Sequence, residues 1–299
     1  IIKLIAYLPN LKIGILVGMD KVVFNITFHW QLDQLKWHLE NIFSWESSDN
    51  HEYLLVSAHK DNLSEINDWV DQNYSEKKVE TLFIDGDYEN HLGCAVNVIE
   101  GLKYIRDNKE YDYIANVEAD NMFRDEKKFL KLVDKLKENN KHMLLVDHDS
   151  IYGKLFNKHS QQQSRNYFHM TTLNIYSKYY VDNHLFLDYD EEFMDYGWCG
   201  APGTPFEAYF ALALLKKNNI NNDKELLDYL EKYTYRLSYI RNANPCNFAE
   251  PDDLTPDRYM KYGIMNCPNA RDGHGASQPD IWKSALRFVQ LHDPLKYNF

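Results

Sequence analysis

The sequence is poor in positive charge, and this deficit limits the partners to be considered. Its 299 residues include 33 lysines and arginines against 45 aspartates and glutamates, a formal net charge of −12 at pH 7. Nucleic acids select basic surfaces, because every phosphate of their backbone carries a negative charge. We therefore expect no nucleic-acid partner, whereas a nucleotide held through a metal ion is compatible with an acidic chain.

Cysteine is also scarce, and its four positions are scattered. Cys94, Cys199, Cys246 and Cys267 form neither a C-x-x-C pair nor a zinc-binding spacing. Isolated thiols in a chain of this length favour a reducing compartment, so we predict a cytoplasmic protein. The sequence starts at Ile1 rather than Met, and a trimmed form of a membrane-anchored or secretory-pathway protein stays open as an alternative.

The sequence has no long apolar run, internal repeat, low-complexity tract or linker rich in proline and glycine. We therefore expect no integral membrane segment. Hydrophobic residues make up 44% of the chain and charged residues 26%, a balance typical of a folded soluble protein. The length allows one large domain, or one domain with an extension.

Strand-like and helix-like segments alternate through the first half of the chain. Strand patterns cover 12–18, 52–58, 79–84, 113–117 and 142–146, and helical spacing covers 30–43, 64–73, 91–107 and 126–139. This alternation predicts an α/β fold with a mostly parallel central sheet flanked by helices. We expect further helices at 206–218, 225–233 and 282–291, and an antiparallel strand at 167–176. Ligands of such sheets bind at the carboxyl ends of the strands.

The strand at 113–117 ends in two acidic residues. Because side chains alternate along a strand, Glu118 and Asp120 point to one face and Ala119 to the other. Two carboxylates at the carboxyl end of a buried strand suit a divalent cation, which in turn holds a diphosphate. Taken alone, however, the stretch favours an ordinary strand that runs into an acidic surface turn, because the pattern acid-x-acid is common.

Three segments together carry a family resemblance. Residues 90–97 (Asn-His-Leu-Gly-Cys-Ala-Val-Asn) open a helix, residues 113–120 end in Glu-x-Asp, and residues 203–207 (Gly-Thr-Pro-Phe-Glu) lead into an apolar helix. Their order and spacing resemble the Asn-x-Gly…Ala-x-Asn, Asp-x-Asp and Gly-x-Glu-Asp segments of GT-A glycosyltransferases, nearest to the family 2 pattern. The resemblance covers residues from about 12 to about 216.

The resemblance implies a GT-A, Rossmann-like fold with a smaller acceptor-side region. We expect one domain over 1–240, with its donor half at about 12–146 and its acceptor half at about 147–240. An irregular segment with a helix, 241–299, is expected to pack on the same domain. The implied activity is the metal-dependent transfer of a sugar from a UDP- or GDP-sugar to a hydroxyl of a glycan or other acceptor, with inversion and with Mn²⁺ or Mg²⁺ as cofactor.

The resemblance also assigns site residues. Asp120 is the expected direct metal ligand, with Glu118 through water and His274 from a glycine-flanked loop as further ligands. Contacts to base or ribose are expected from acids at the ends of strands, namely Asp61, Asp85, Asp87 and Glu118. Glu207 is the first candidate for the general base, with Asp195 behind it. Each assignment has a simpler alternative. Glu207 is then an ordinary acidic residue in the first turn of a helix. His274 is then a histidine of a surface loop, and residues 85–87 form a simple turn.

Two other functions stay open. Residues 82–87 resemble a strand motif of some AdoMet-dependent methyltransferases, although the Gly-rich loop that such enzymes need after their first strand is missing. The second alternative is a non-catalytic carbohydrate-binding relative of the family, because the chain departs from the family pattern at several positions. Glu118 replaces an aspartate, residues 57–61 lack the usual paired aspartates, and Ala208 replaces the second acid of Glu-Asp.

Overall fold

The computed structural model describes residues 20–29, 32–86, 90–119, 121–147, 170–188, 206–238 and 264–266. Several predictions fall outside these ranges: the strand at 12–18, the helix at 282–291, and the site residues Asp87, Asp120, Asp195 and His274. They stay predictions. Within the described ranges, no helix is long and apolar enough to cross a bilayer.

A mixed sheet forms the centre of the molecule. Its main strands follow one another in the order β3-β2-β1-β4-β7-β6-β8. Only β7 runs antiparallel to its neighbours β4 and β6, and the other pairs along this path are parallel. The strand bounds are β1 Val22–Thr27, β2 Glu52–Ser57, β3 Val79–Phe83, β4 Tyr113–Glu118, β5 Asn121–Phe123, β6 Met143–Asp147, β7 Met170–Ser177, β8 Thr234–Ser238 and β9 Ile264–Asn266.

Helices cover both faces of the sheet. Their bounds are α1 Leu32–Phe43, α2 Lys60–Asn73, α3 Asn90–Asn108, α4 Glu126–Glu138, α5 Lys178–Asn183, α6 Phe206–Lys217 and α7 Asp223–Tyr233. Buried side chains of α1, α2 and α4 form one core, and those of α3, α5, α6 and α7 form the other. Alternate residues of β1 serve both, with Phe24 on the α1 side and Val23 on the α3 side. The predicted α/β architecture is thus confirmed.

The central strand β1 is the element that the sequence pattern missed. The sequence pattern predicts a strand at 12–18, which lies outside the described residues, and predicts none at Val22–Thr27. This segment lies between β2 and β4 and is buried throughout. Asn25 and Thr27 interrupt the apolar run of this strand, and the polar pair Asp20-Lys21 precedes it. A strand that is buried on both faces does not alternate between apolar and polar residues, so its only sequence signal is a continuous apolar run. The two polar residues interrupt that run in β1. Predicted elements that do appear begin and end within about four residues of their expected bounds.

Two histidines are buried in the core on the α1 side. His38 of α1 is fully buried, and burial, aided by the positive charge of Arg124, lowers its pKa to about 3. His51 is 1% exposed, its ring bonds to the Ser47 hydroxyl at 3.0 Å, and burial lowers its pKa to about 4. Both rings are therefore neutral in the folded protein at pH values where free histidine is charged.

We expect the free energy of unfolding to fall steeply as the pH drops from about 6.5 towards 4. Both folded-state pKa values are depressed, so the unfolded chain binds more protons in this window, and each histidine costs up to about 1.4 kcal/mol per pH unit. Urea unfolding of the wild type and of His38→Leu at several pH values measures this. The variant should lose the share of one histidine, up to about 1.4 kcal/mol per pH unit, and an unchanged slope would contradict the assignment.

Candidate active site

The parallel strands β1, β2, β3 and β4 all end at the same edge of the sheet. Thr27 of β1 is paired with Glu118 of β4, and Ser57 of β2 with Phe83 of β3. Backbone bonds extend this edge by one residue, since the Ala119 N–H donates to the Thr27 oxygen and the Ile84 N–H to the Ser57 oxygen, each at 3.0 Å. This carboxyl edge is where an α/β sheet binds ligands.

Glu118 occupies the place that the sequence predicts. It ends β4 beside β1 and is part-buried, whereas Ala119 is buried in the core on the opposite, α1 side of the sheet. The predicted alternation of these two residues is therefore confirmed. Within the described part of the chain, no group of three or more histidine, cysteine, aspartate or glutamate side chains is arranged to hold a metal. Glu118 alone of the three predicted ligands is described, and one part-buried carboxylate at this edge fits an oxygen ligand of Mg²⁺ or Mn²⁺.

The two described acids of the predicted nucleoside contacts lie at the same edge. Asp61 stands in the first turn of α2, directly after β2, and is exposed. Asp85 follows β3 by two residues and is also exposed. Both side chains are free to meet a ligand at the carboxyl edge, although their roles stay predictions.

Glu207 is the second residue of α6, which confirms the predicted helix behind it. The body of α6 buries Tyr209, Phe210, Ala213 and Leu214 in the core on the α3 side. The backbone that carries Glu207 is therefore anchored by its own helix. A first-turn carboxylate is stabilised in its charged form by the helix dipole, which suits a base and an ordinary helix start alike.

The structure adds a histidine pair that the sequence pattern did not reveal. His29 and His59 each stand two residues beyond their strands β1 and β2, and their ring centroids lie 5.7 Å apart in an edge-to-face arrangement. The amide of Asn62 donates to the His29 oxygen at 2.7 Å, which ties the end of β1 to α2. Imidazole N–H groups are suitable donors to a phosphate or a base. The equivalent positions of the two histidines, each two residues after its strand, follow only from the observed bounds of β1, Val22–Thr27.

A layer of buried asparagines lies beneath this edge on the α3 side. Asn25 of β1, Asn116 of β4 and Asn174 of β7 are paired in register across three adjacent strands and are at most 2% exposed. The Asn25 Nδ2 donates to the Asn116 Oδ1 at 2.7 Å. Asn97 of α3 is fully buried too. Among the described residues, neither its Nδ2 nor its Oδ1 has a hydrogen-bond partner, and the same holds for the Asn25 Oδ1. A buried polar atom that makes no hydrogen bond, either to protein or to water, costs about 1–3 kcal/mol of desolvation.

Gly101 lets α3 approach this layer. A Cβ at this position would come within 2.9 Å of the Asn25 Cγ and closer still to its Oδ1. We expect Gly101→Ala to destabilise the protein by about 1–3 kcal/mol, although the same change in an open helix interior is worth about 1 kcal/mol of stabilisation.

Urea unfolding checks this expectation through a double-mutant cycle. In the Asn25→Ala background the side chain that opposes the new methyl group is gone, so Gly101→Ala should cost less there than in the wild type. An equal cost in both backgrounds would contradict the proposed clash.

A surface depression elsewhere does not belong to this site. Its volume is about 590 Å³, and it is lined by Lys141, Leu227, Leu230, Glu231, Thr234 and Tyr235. Thr234 opens β8, which is parallel to β6, so the depression lies at the amino ends of these strands. Glu118 and its neighbours lie at the opposite edge of the sheet.

Comparisons with known proteins give distant structural likenesses only. No family model and no curated protein matches the sequence. TarS of S. aureus is 14% identical with a TM-score of 0.44 over 74% of this chain, which spans about a third of that protein (36%). The mannosyltransferase PcManGT of Pyrobaculum calidifontis, solved with GDP-Man and Mn²⁺, is 9% identical with a TM-score of 0.44, over 93% of this chain and 76% of that one. A protein of Bacillus anthracis that is described as a glucose-1-phosphate thymidylyltransferase and was solved with sucrose is 8% identical with a TM-score of 0.41, over 75% of this chain and 87% of that one. Likenesses this distant carry no information about activity.

Proposed function

We propose that the protein is a metal-dependent GT-A glycosyltransferase that moves a sugar from a UDP- or GDP-sugar to a hydroxyl of a glycan or other acceptor, with inversion. The observation that carries the proposal is the position of Glu118. It belongs to the predicted Glu-x-Asp segment, and it ends a central parallel strand at the carboxyl edge of the sheet, next to β1. The acids Asp61 and Asp85 and the pair His29 and His59 stand at the same edge.

The donor half of the proposed site has to hold a nucleoside diphosphate. Asp61, Asp85 and Asp87 would contact base or ribose, and Glu118, Asp120 and His274 would hold Mn²⁺ or Mg²⁺. When bound, the cation would neutralise the charge that develops on the departing diphosphate. The imidazoles of His29 and His59 would donate hydrogen bonds to the same anion.

The acceptor half has to remove a proton from the attacking hydroxyl. In an inverting transfer, one carboxylate takes this proton on the face of the sugar opposite to the diphosphate. We assign this role to Glu207 at the start of α6, with Asp195 as the second candidate. The domain division follows the same logic, with the donor half at 12–146, the acceptor half at 147–240 and the segment 241–299 packed on them.

A panel of sugar nucleotides tests the proposal most directly. Slow hydrolysis of one UDP- or GDP-sugar, dependent on Mn²⁺ or Mg²⁺, is the expected result, because an enzyme of this class uses water as a poor acceptor. Calorimetric titrations with UDP, with GDP and with AdoMet accompany the panel. If AdoMet binds and neither nucleotide does, the methyltransferase alternative replaces the proposal. If a nucleotide binds but no hydrolysis or transfer is seen, the protein has a non-catalytic role.

A further inference from the structure

The asparagine layer leads from the interior of the sheet towards Glu118. Alternation puts Asn116 and Glu118 on one face of β4, and Asn25 and Thr27 on the same face of β1. The registered pairs form two successive rows, Asn25 with Asn116 and then Thr27 with Glu118. The second row is one step nearer to the carboxyl edge, so the amide layer directly underlies the row that contains Glu118.

Helix α3 places Asn97 at the level of this second row. Gly101 lies against Asn25, and the Asn25 Nδ2 points at the Val98 oxygen, 3.4 Å away. Asn97 precedes Gly101 by four residues and shares its face of the helix, about 6 Å further along the axis. This distance matches the two residues, about 6.6 Å, that separate Asn25 from Thr27 along β1. Because α3 leads into β4, which is parallel to β3, its amino-terminal half lies towards the carboxyl edge.

The Asn97 amide is buried without a partner among the described residues, at the level of the row that contains Glu118. Its Nδ2 and Oδ1 both lack hydrogen bonds, and the side chain is fully buried. Buried polar atoms without a protein partner are commonly satisfied by an internal water molecule, which makes two to four hydrogen bonds. An amide and a water beside a part-buried carboxylate can fix the rotamer of that carboxylate, as groups behind metal ligands do.

We propose that Asn97 is a positioning residue, which holds the Glu118 carboxylate for donor binding through an internal water and the asparagine layer. This inference rests on the proposed function. It predicts that removing the Asn97 amide weakens nucleotide binding without lowering stability. Polar atoms that lack protein partners contribute little to folding, and an apolar side chain of similar shape replaces them at small cost.

The test compares Asn97→Leu, Asn97→Ser and the wild type in calorimetric titrations with UDP or GDP in the presence of Mn²⁺. The Leu variant should bind about 10- to 100-fold more weakly with an unchanged or higher melting temperature. The Ser variant keeps a hydroxyl and room for water, and should recover most of the affinity. As a matched control, Thr234→Val removes a buried hydroxyl that bonds to the Leu230 oxygen at the far end of the sheet, and should leave the affinity unchanged.

Hydrogen exchange of β4 separates this inference from the proposed function. The amides of 116–119 should exchange faster in Asn97→Leu than in the wild type, with or without nucleotide. If the wild type binds no nucleotide but this difference is seen, the layer positions Glu118 and the proposed function fails. Wild-type affinity together with wild-type exchange in the Leu variant would overturn the inference. If the Leu variant does not fold, the Ser variant decides by the same two measurements against Asn97→Ala.

Discussion

Replacing Glu207 with glutamine is expected to slow glycosyl transfer by about 10²–10⁴-fold, the usual cost of losing a general base. Glutamine keeps the size and the hydrogen-bonding shape of the side chain but cannot take a proton. Because α6 is anchored by its buried residues from Tyr209 onward, the substitution at its second position should leave the fold intact. Initial rates with a saturating donor and acceptor measure the effect, and nucleotide affinity should stay at the wild-type value.

Asp195→Asn is the matched comparison for this experiment. It removes the second candidate base with the same change of chemistry. If Asp195→Asn abolishes transfer while Glu207→Gln turns over normally, the base lies before α6 and the similarity of residues 203–207 to the Gly-x-Glu-Asp segment is misleading. A product that keeps the anomeric configuration of the donor would remove the general-base role from both residues.

Asp120→Asn is expected to weaken the binding of UDP or GDP by at least about tenfold in the presence of Mn²⁺, and Glu118→Gln by less. A direct ligand loses a charged oxygen in the first variant, whereas Glu118 acts through water or on the ribose and leaves the ion in place. Calorimetry in the presence of Mn²⁺ and in the presence of EDTA measures both affinities. The loss in Asp120→Asn should vanish in EDTA, because the wild type then lacks the cation as well. The loss in Glu118→Gln should vanish in EDTA if Glu118 acts through water on the ion, and should persist if it acts on the ribose.

Asp112→Asn is the control at the other end of the same strand. The Asp112 carboxylate accepts from the Lys21 backbone N–H at 2.9 Å on the exposed amino side of β4, so its loss changes the net charge equally without touching the carboxyl edge. Its nucleotide affinity should equal that of the wild type. Equal binding of UDP and GDP by the wild type with and without EDTA would show that the proposed metal role is wrong.

The sequence pattern of a single segment predicts those helices and strands of this protein whose burial and caps depend on residues close together in the sequence. Helix α4 is the clearest example, since Phe129, Val133 and Leu136 recur at helical spacing and are buried in the structure. Its start is equally local, because the Asp125 carboxylate accepts from the Lys128 N–H at 3.0 Å. Strand β4 and the orientation of Glu118 follow from the period of two along one segment.

Local sequence pattern does not predict a side chain whose surroundings come from distant parts of the chain. Asn25 looks out of place in an apolar strand until Asn116, 91 residues away, is seen to accept its hydrogen bond. His29 and His59 are ordinary residues in sequence and meet only because β1 and β2 are neighbours in the sheet. The hydrophobic periodicity of the individual segments predicts neither of these two pairings.

The sequence by itself determined the alternation of strands and helices, the mostly parallel α/β class and the acid at the end of β4, because side-chain periodicity and helix caps are set by adjacent residues. Only the tertiary structure decided that Val22–Thr27 is a central strand, that the predicted antiparallel strand lies between β4 and β6, and that three asparagines of adjacent strands form one buried layer beneath Glu118. Strand order and register depend on which buried surfaces fit together across the whole chain, and a buried polar group such as the Asn25 amide is bonded by a partner that is far away in the sequence.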